Sequence, residues 1–302
     1  MNPAPALDWA LDGPSWPHAV ASRFVLADGL RWHVQQMGLA QGEGPTLLLL
    51  HGTGASTHSW RGLLPLLAPR FHLIAPDLPG HAFSATPASG AQMSLPGMAR
   101  ALAALLATLD ARPNFVLGHS AGAAIAIRMS LDRLIEPAAI AAVNPALLPF
   151  GGLPGRIFGP AARLLAAQPW VPRLFARRAA RPAVLQGLLD ATGSTLDAEG
   201  MALYGRLVRS PAHAAGALSM MANWDLQPLR RELPALRVPL HLIVGANDHT
   251  VPPRQAQQVH ALLPASTLIM LPGLGHLAHE EQPVRVVQQV LAVVQAASTA
   301  AA

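Results

Sequence analysis

The chain contains no cysteine, and all 21 of its basic residues are arginine. Without thiols it can form no disulfide framework, thiolate nucleophile, or cysteine-ligated zinc or iron–sulfur centre. Without a lysine amine it has no Walker A phosphate loop and no Schiff-base chemistry. Charged residues make up only 12% of the 302 positions and aromatic ones 5%, with Tyr204 the single tyrosine. The formal net charge of +5 therefore does not read as a nucleic-acid surface. The arginines are dispersed, with no run beyond Arg177-Arg178 and Arg230-Arg231, and bases would find no aromatic platform to stack on. No stretch of about 18 apolar residues escapes a proline or a charge, so no spanning helix is expected. The N-terminus has no basic region, and Asp8 and Asp12 interrupt it, so it does not read as a signal peptide. The expectation is a cytoplasmic protein.

What is present is apolar. At 51% hydrophobic, a chain of this length can bury a sizeable core, which excludes intrinsic disorder. The apolar pattern alternates between strand and helix. Residues 22–28 and 30–37 read as two strands around an Asp28-Gly29 turn. The continuous run Thr46 to Leu50 suits a strand buried on both faces. A helix near 58–68 and a strand at His72–Ala75 follow. A helix capped by Ser94, with Pro96 in its first turn, runs to about 110. Then come a strand at Asn114–Leu117, a helix over about 121–133 and a strand over Ala138–Val143. Residues 145–235 hold no convincing strand and are punctuated by prolines from Pro149 to Pro211. The alternation resumes with strands at Leu240–Val244 and Thr267–Leu271, a helix over 253–263 and a last helix over 281–296. Residues Gln295–Ala302 read as a frayed tail. The predicted organisation is α/β: a mostly parallel sheet covered by helices on both faces. It comprises core residues 1–144, a helical lid at 145–235 and core residues 236–302. Ligands in such sheets bind at the carboxyl ends of the strands.

Loops at those ends carry the parts of an acyl-transfer site. Gly118-His119-Ser120-Ala121-Gly122 lies between a strand and a helix, the context in which G-x-S-x-G forms a sharp turn that exposes its serine. A serine hydroxyl needs a base. His276 follows the last strand and is the candidate; His279, one turn later beside Glu280 and Glu281, competes with it and is expected to open the final helix. The same two histidines leave open a metal site, but no third ligand is suggested. Asp248, after the strand ending at Val244, is the candidate carboxylate to orient the imidazole. The order Ser…Asp…His is the one α/β-hydrolases use. His51-Gly52-Thr53-Gly54 is the candidate oxyanion loop, with the Thr53 and Ala121 N–H groups as donors. No cofactor is expected.

Ser120, Asp248, His276 and the His51–Gly54 loop together resemble the α/β-hydrolase superfamily over nearly the whole chain. Ala75-Pro76-Asp77-Leu78-Pro79-Gly80-His81 resembles a structural turn of that superfamily, continued here by Ala82 where glycine is common. A narrower resemblance is to the magnesium-chelatase accessory family of bacteriochlorophyll-synthesis gene clusters. It rests on residues 51–60, 118–124, 192–197, 220–226 and 271–281. That resemblance implies a pathway, magnesium insertion into a porphyrin, more firmly than a reaction. Ser120 stands where haloalkane dehalogenases and epoxide hydrolases place an aspartate, and Leu277 stands where carbon–carbon hydrolases often place a tryptophan.

Between Gly151 and Asn223 eight arginines face Asp190, Asp197 and Glu199, a net of +5. With Trp170, Phe158, Phe175 and Met201, such a lid suits a flat apolar ligand bearing carboxylates, such as a tetrapyrrole. Ordinary packing with a solvated face accounts for the same pattern more simply, and an anionic membrane surface is a third reading. Trp60, Met220, Met221 and Trp224 are the candidate substrate contacts. The expected function is a serine hydrolase acting on an ester or similar acyl bond of a small molecule. The alternative is a non-catalytic accessory that binds a porphyrin or assists the magnesium chelatase.

Overall fold

A computed structural model describes residues 7–149, 168 and 170–301. Eight strands form one sheet: β1 (Ser22–Ala27), β2 (Leu30–Gly38), β3 (Thr46–Leu50), β4 (His72–Pro76), β5 (Phe115–His119), β6 (Ala139–Val143), β7 (Leu240–Gly245) and β8 (Thr267–Leu271). Their order is β1-β2-β4-β3-β5-β6-β7-β8. β2 is antiparallel to both β1 and β4, and the remaining pairs are parallel. The β1–β2 hairpin closes on Asp28 (φ 49°) and Gly29 (φ 71°), the pair of positive dihedrals that Asp-Gly favours in a two-residue turn. From β3 the chain goes to β4 on one side and later returns to β5 on the other. The loops after β3 and β5 thus meet at the point where strand order reverses.

Strand side chains alternate between two core layers. Leu48 and Leu50 face a layer shared with α3 (Leu95–Thr108) and α4 (Ala121–Leu131). Leu47 and Leu49 face the opposite layer, with Trp60, Leu63 and Leu67. That second layer is completed by Val286, Val287 and Val290 of the C-terminal helix. The Ser94 hydroxyl caps α3, accepting from the Gly97 N–H at 3.3 Å.

The elements on the short side of the chain differ from expectation. In place of a helix at 58–68 there is a 3₁₀ turn at Thr57–Trp60 and one α turn, α2 (Leu64–Leu67), while α1 is the single turn Trp9–Asp12. Between them Gly62 lies against Pro283, whose ring a side chain there would strike at 2.6 Å. The final helix is broken too, because Pro283 cannot continue a preceding turn. The tail Gln295–Ala301 is helical rather than frayed, as its alanine content favours.

Between β6 and β7 the described residues form α5 (Trp170–Ala179), α6 (Pro182–Asp190), α7 (Ala198–Arg209), α8 (Pro211–Ala222) and α9 (Gln227–Glu232). Residues 150–167 and 169, including Phe158, Arg156 and Arg163, lie outside the described residues. Leu189, Leu203, Tyr204 and Leu207 from this insertion pack with Trp16, Ala55, Phe83 and Leu277. Ala55 follows the loop after β3 and Leu277 follows His276, so the inserted helices sit at the carboxyl ends of the strands. Beyond β7 lie α10 (Pro253–Leu262), α11 (Ala278–Glu281) and α12 (Pro283–Ala301). Among the described residues no helix is long and apolar enough to cross a membrane.

Candidate active site

β5 ends at His119, and Ser120 turns the chain into α4 with φ 52° and ψ −115°. A non-glycine residue at positive φ is strained, and the neighbouring backbone must hold it there. The Ser120 N–H donates to the Val143 carbonyl at 3.0 Å, and its own carbonyl accepts from the Ala146 N–H at 3.2 Å. Both ends of the serine's peptide are therefore tied to the end of β6 and the loop that follows. Gly122 lets α4 approach β3, since a Cβ there would sit 2.0 Å from the Leu50 carbonyl oxygen.

Asp248 and His276 come together although 28 residues separate them. His276 Nδ1 donates to Asp248 Oδ2 at 2.8 Å, and both side chains are buried. The same Oδ2 accepts from the Asn144 amide at 2.7 Å. The other oxygen, Oδ1, accepts from the Thr250 and Val251 N–H groups, each at 2.8 Å. Four donors thus fix the carboxylate, and a buried charge requires such partners. Asn144 follows β6 at φ 45°, a conformation asparagine tolerates better than most residues. It has no place in the sequence motif; only its position just past a strand end marks it.

His119, the residue before Ser120, is in contact with this pair. His119 Nε2 donates to the His276 carbonyl at 2.9 Å, and the two rings lie 4.8 Å apart. Among the described residues no hydrogen bond joins Ser120 to His276. His279 is turned away: its Nε2 donates to the Ser59 hydroxyl at 2.8 Å. It lies in α11 before the final helix rather than opening it. Burial pushes its pKa down to about 3, aided by His276 and Arg61. Among the described residues no three His, Asp or Glu side chains are grouped to hold a metal ion.

The candidate oxyanion loop, His51–Gly54, is held from three sides. His51 donates from Nδ1 to the Gly52 carbonyl (2.8 Å) and accepts at Nε2 from the Leu78 N–H (2.9 Å). From α8, His213 Nε2 donates to the Gly54 carbonyl at 3.1 Å. The Thr53 hydroxyl contacts Met220 Sδ at 3.4 Å. Gly54 adopts φ 79°, which leaves the loop free to point its N–H groups inward. The Ala121 N–H belongs to the first turn of α4 and has no intrahelical acceptor.

The four candidate substrate contacts separate. Met220, as fully buried as Trp60, touches the candidate oxyanion loop from the core, and Trp224 is partly buried against the core layer of α3 and α4. Trp60 is fully buried in the opposite layer, with its ring 4.9 Å from that of His279, so it offers no surface to a ligand. Met221 is more than half exposed, one position round α8 from Met220. Ala82, the departure in the turn after β4, has φ 42°. A left-handed alanine costs about 1 kcal/mol. Ala82→Gly is therefore expected to raise the urea unfolding free energy by about that amount. Unchanged or lowered stability would mean that alanine is not strained there.

The sequence profile of the alpha/beta hydrolase fold family matches residues 45–283. The chain is an α/β-hydrolase. The α/β-hydrolase is also 41% identical over 266 residues to the magnesium-chelatase 30 kDa subunit of Rhodobacter capsulatus, an alignment covering 88% of this chain and 92% of that one. It is 28% identical to a pimeloyl-[acyl-carrier protein] methyl ester esterase of Vibrio vulnificus, covering 83% of this chain and 94% of the relative. Among solved structures, an alpha/beta hydrolase fold protein from Burkholderia ambifaria superposes with a TM-score of 0.73. That match has 25% identity and covers 96% of this α/β-hydrolase and 99% of the other.

Proposed function

We propose that the chain is a serine hydrolase that cleaves an ester or similar acyl bond of a small molecule. The observation that carries this reading is the buried Asp248–His276 pair beside a serine held at positive φ on the N-terminus of α4. In the proposed reaction Ser120 Oγ attacks the acyl carbon while His276 Nε2 takes its proton. The Thr53 and Ala121 N–H groups stabilise the oxyanion. Collapse of the tetrahedral intermediate breaks the bond to the leaving group, which receives the proton from His276. Water then repeats the sequence on the acyl-enzyme and regenerates Ser120.

The 41%-identical relative is named as a magnesium-chelatase subunit, and this directs the substrate reading to tetrapyrroles. The same name favours a second reading, a porphyrin-binding or chelatase-assisting protein without chemistry of its own. The proposal places the chain in the cytoplasm. Trp170, Leu174 and Phe175 are exposed on α5 with Arg177 and Arg178, which fits peripheral contact with an anionic membrane.

One experiment separates enzyme from accessory. The folded protein is treated with a fluorophosphonate probe, and Ser120→Ala is tested both for labelling and for restoring pigment synthesis in a deletion strain. A hydrolase gives an adduct on Ser120 and a folded variant that fails to complement. A variant that restores synthesis in full overturns the catalytic reading in favour of the accessory.

A further inference from the structure

The motif at residues 192–197 belongs to the insertion, yet its contacts are with the two loops that carry Asp248 and His276. One oxygen, the Thr192 carbonyl, accepts from the His276 N–H at 3.0 Å and from the His249 N–H at 3.3 Å. Next to it, the Gly193 carbonyl accepts from the Asn247 side-chain amide at 2.8 Å. The Ser194 hydroxyl then accepts from the Leu277 N–H at 2.8 Å. Asn247 and His249 flank the acid, and Leu277 follows the base. The packing is too close for side chains. A Cβ on Gly193 would lie 2.0 Å from the Asn247 carbonyl oxygen, and one on Gly275 would lie 2.5 Å from the Ser194 nitrogen. Glu281 adds a second bridge: its oxygens accept from the Gly275 N–H (2.7 Å) and the Thr195 N–H (3.1 Å).

The segment's far end is anchored to a charge network that runs from the exposed Asp197 through Arg61 to the buried Glu280. Asp197 caps α7 through the Gly200 N–H (2.6 Å) and accepts from Arg61 at 2.8 Å. Arg61 also donates to Glu280 at 2.7 Å, and Glu280 accepts from Ser59 and, on α7, from Tyr204. The chain is continuous from Tyr204 on α7 and Asp197 at its N-cap, through the 192–197 segment, to the backbone on both sides of the acid–base pair.

We propose that Thr192–Asp197 is a positioning element. It holds the Asp248 and His276 loops in register and makes the insertion, rather than the sheet alone, responsible for the geometry of the base. Ser194 is its key side chain, because it fixes the residue next to His276 without touching any reacting atom. This inference rests on the proposed hydrolase reading. A displacement of about 1 Å at a reacting group costs on the order of 10²-fold in rate. Loss of one of the clamp's several bonds should cost about 10–100-fold.

The test compares wild type with Ser194→Ala and Ser194→Thr in the full chain. Two quantities are measured: the rate of Ser120 labelling by a fluorophosphonate, and the far-downfield proton resonance of His276 Nδ1–H. Alanine is expected to slow labelling by the stated factor and to shift or broaden the resonance. Threonine, which keeps the hydroxyl, is expected to restore both. Wild-type behaviour of both quantities in the folded alanine variant would overturn the clamp and leave the hydrolase reading standing. If wild type itself takes no label, the hydrolase reading fails instead, and the resonance still decides the clamp.

Discussion

Asp248→Asn is expected to slow phosphonylation of Ser120 by about 10⁴-fold at neutral pH while leaving the protein folded. The hydrogen bonds around the carboxylate set the outcome. Oδ1 accepts from two backbone N–H groups, of Thr250 and Val251, which cannot move without moving the loop. An asparagine must keep its carbonyl oxygen on that side, because turning the amide would set N–H against N–H. Its NH₂ group then faces His276 Nδ1, which has to become an acceptor. The ring proton moves to Nε2, the nitrogen that must receive the serine's proton, and the base is lost. The new amide also confronts the Asn144 NH₂ that now donates to Oδ2, so a modest loss of stability, about 1–3 kcal/mol, accompanies the change. Labelling at the wild-type rate by a folded variant would mean that His276 does not serve Ser120.

How far this site could be read in the sequence depends on where its bonds lie. Ser120, Asp248 and His276 each follow a strand with a recognisable turn, and the alternation of strands places those turns at one edge. β3 falls on Thr46–Leu50 because a continuous apolar run of that length has few other ways to be buried, and β8 falls on the apolar run Thr267–Leu271 at the half-exposed edge of the sheet. The break in the helix expected at 58–68 was not legible, since Gly62 is shaped by Pro283, more than two hundred residues away. Trp60 illustrates the same limit: an aromatic near a catalytic loop reads as a ligand contact until packing shows which face of the sheet it fills. Asn144 and His213 carry no motif, because what they do is bond across the fold, and although Ser194 lies in the 192–197 motif, nothing there tells that its hydroxyl accepts from the Leu277 N–H. The left-handed Ala82 was visible in outline, as an alanine where the turn calls for glycine.

The histidines supply a second large effect, on stability. Burial holds His213 at about 4 against an ordinary 6.5, with His51 adding to the shift and the Gly54 carbonyl and Asp77 opposing it. Burial likewise holds His279 at about 3. His51, His58, His81 and His119 are also pushed down, burial being the first cause in each. Above pH 6.5 these rings are neutral in both folded and unfolded chains, and they add no pH dependence. Between 6.5 and the folded values only the unfolded chain takes up protons, so stability falls with pH. Each group contributes about 1.4 kcal/mol per pH unit. His213 and His279 alone would remove about 3 kcal/mol per unit, or about 7 kcal/mol by pH 4, comparable with the whole stability of an ordinary domain. Glu280 works in the opposite sense, because burial raises its carboxyl and protonation there relieves a cost. It is one group against seven, since burial lowers His241 as well. Asp77 acts only at lower pH. Burial raises its carboxyl, but His33 at 2.7 Å and the Thr57 N–H bring it to about 2, so its contribution is lost below 3.8. Urea titrations at steps from pH 7.5 down should therefore give a midpoint that drops steeply below 6.5, with unfolding complete before Asp77 titrates. His213→Gln removes one titrating ring and should flatten the slope by about 1.4 kcal/mol per pH unit. A midpoint that stays level between 6.5 and 4.5 would mean that these rings are hydrated in solution. Because His213 accepts from the Ala82 N–H at Nδ1 and donates to the Gly54 carbonyl from Nε2, its protonation sets a donor against the Ala82 N–H on the same ring that holds the candidate oxyanion loop. Acid should accordingly suppress Ser120 labelling before it unfolds the sheet.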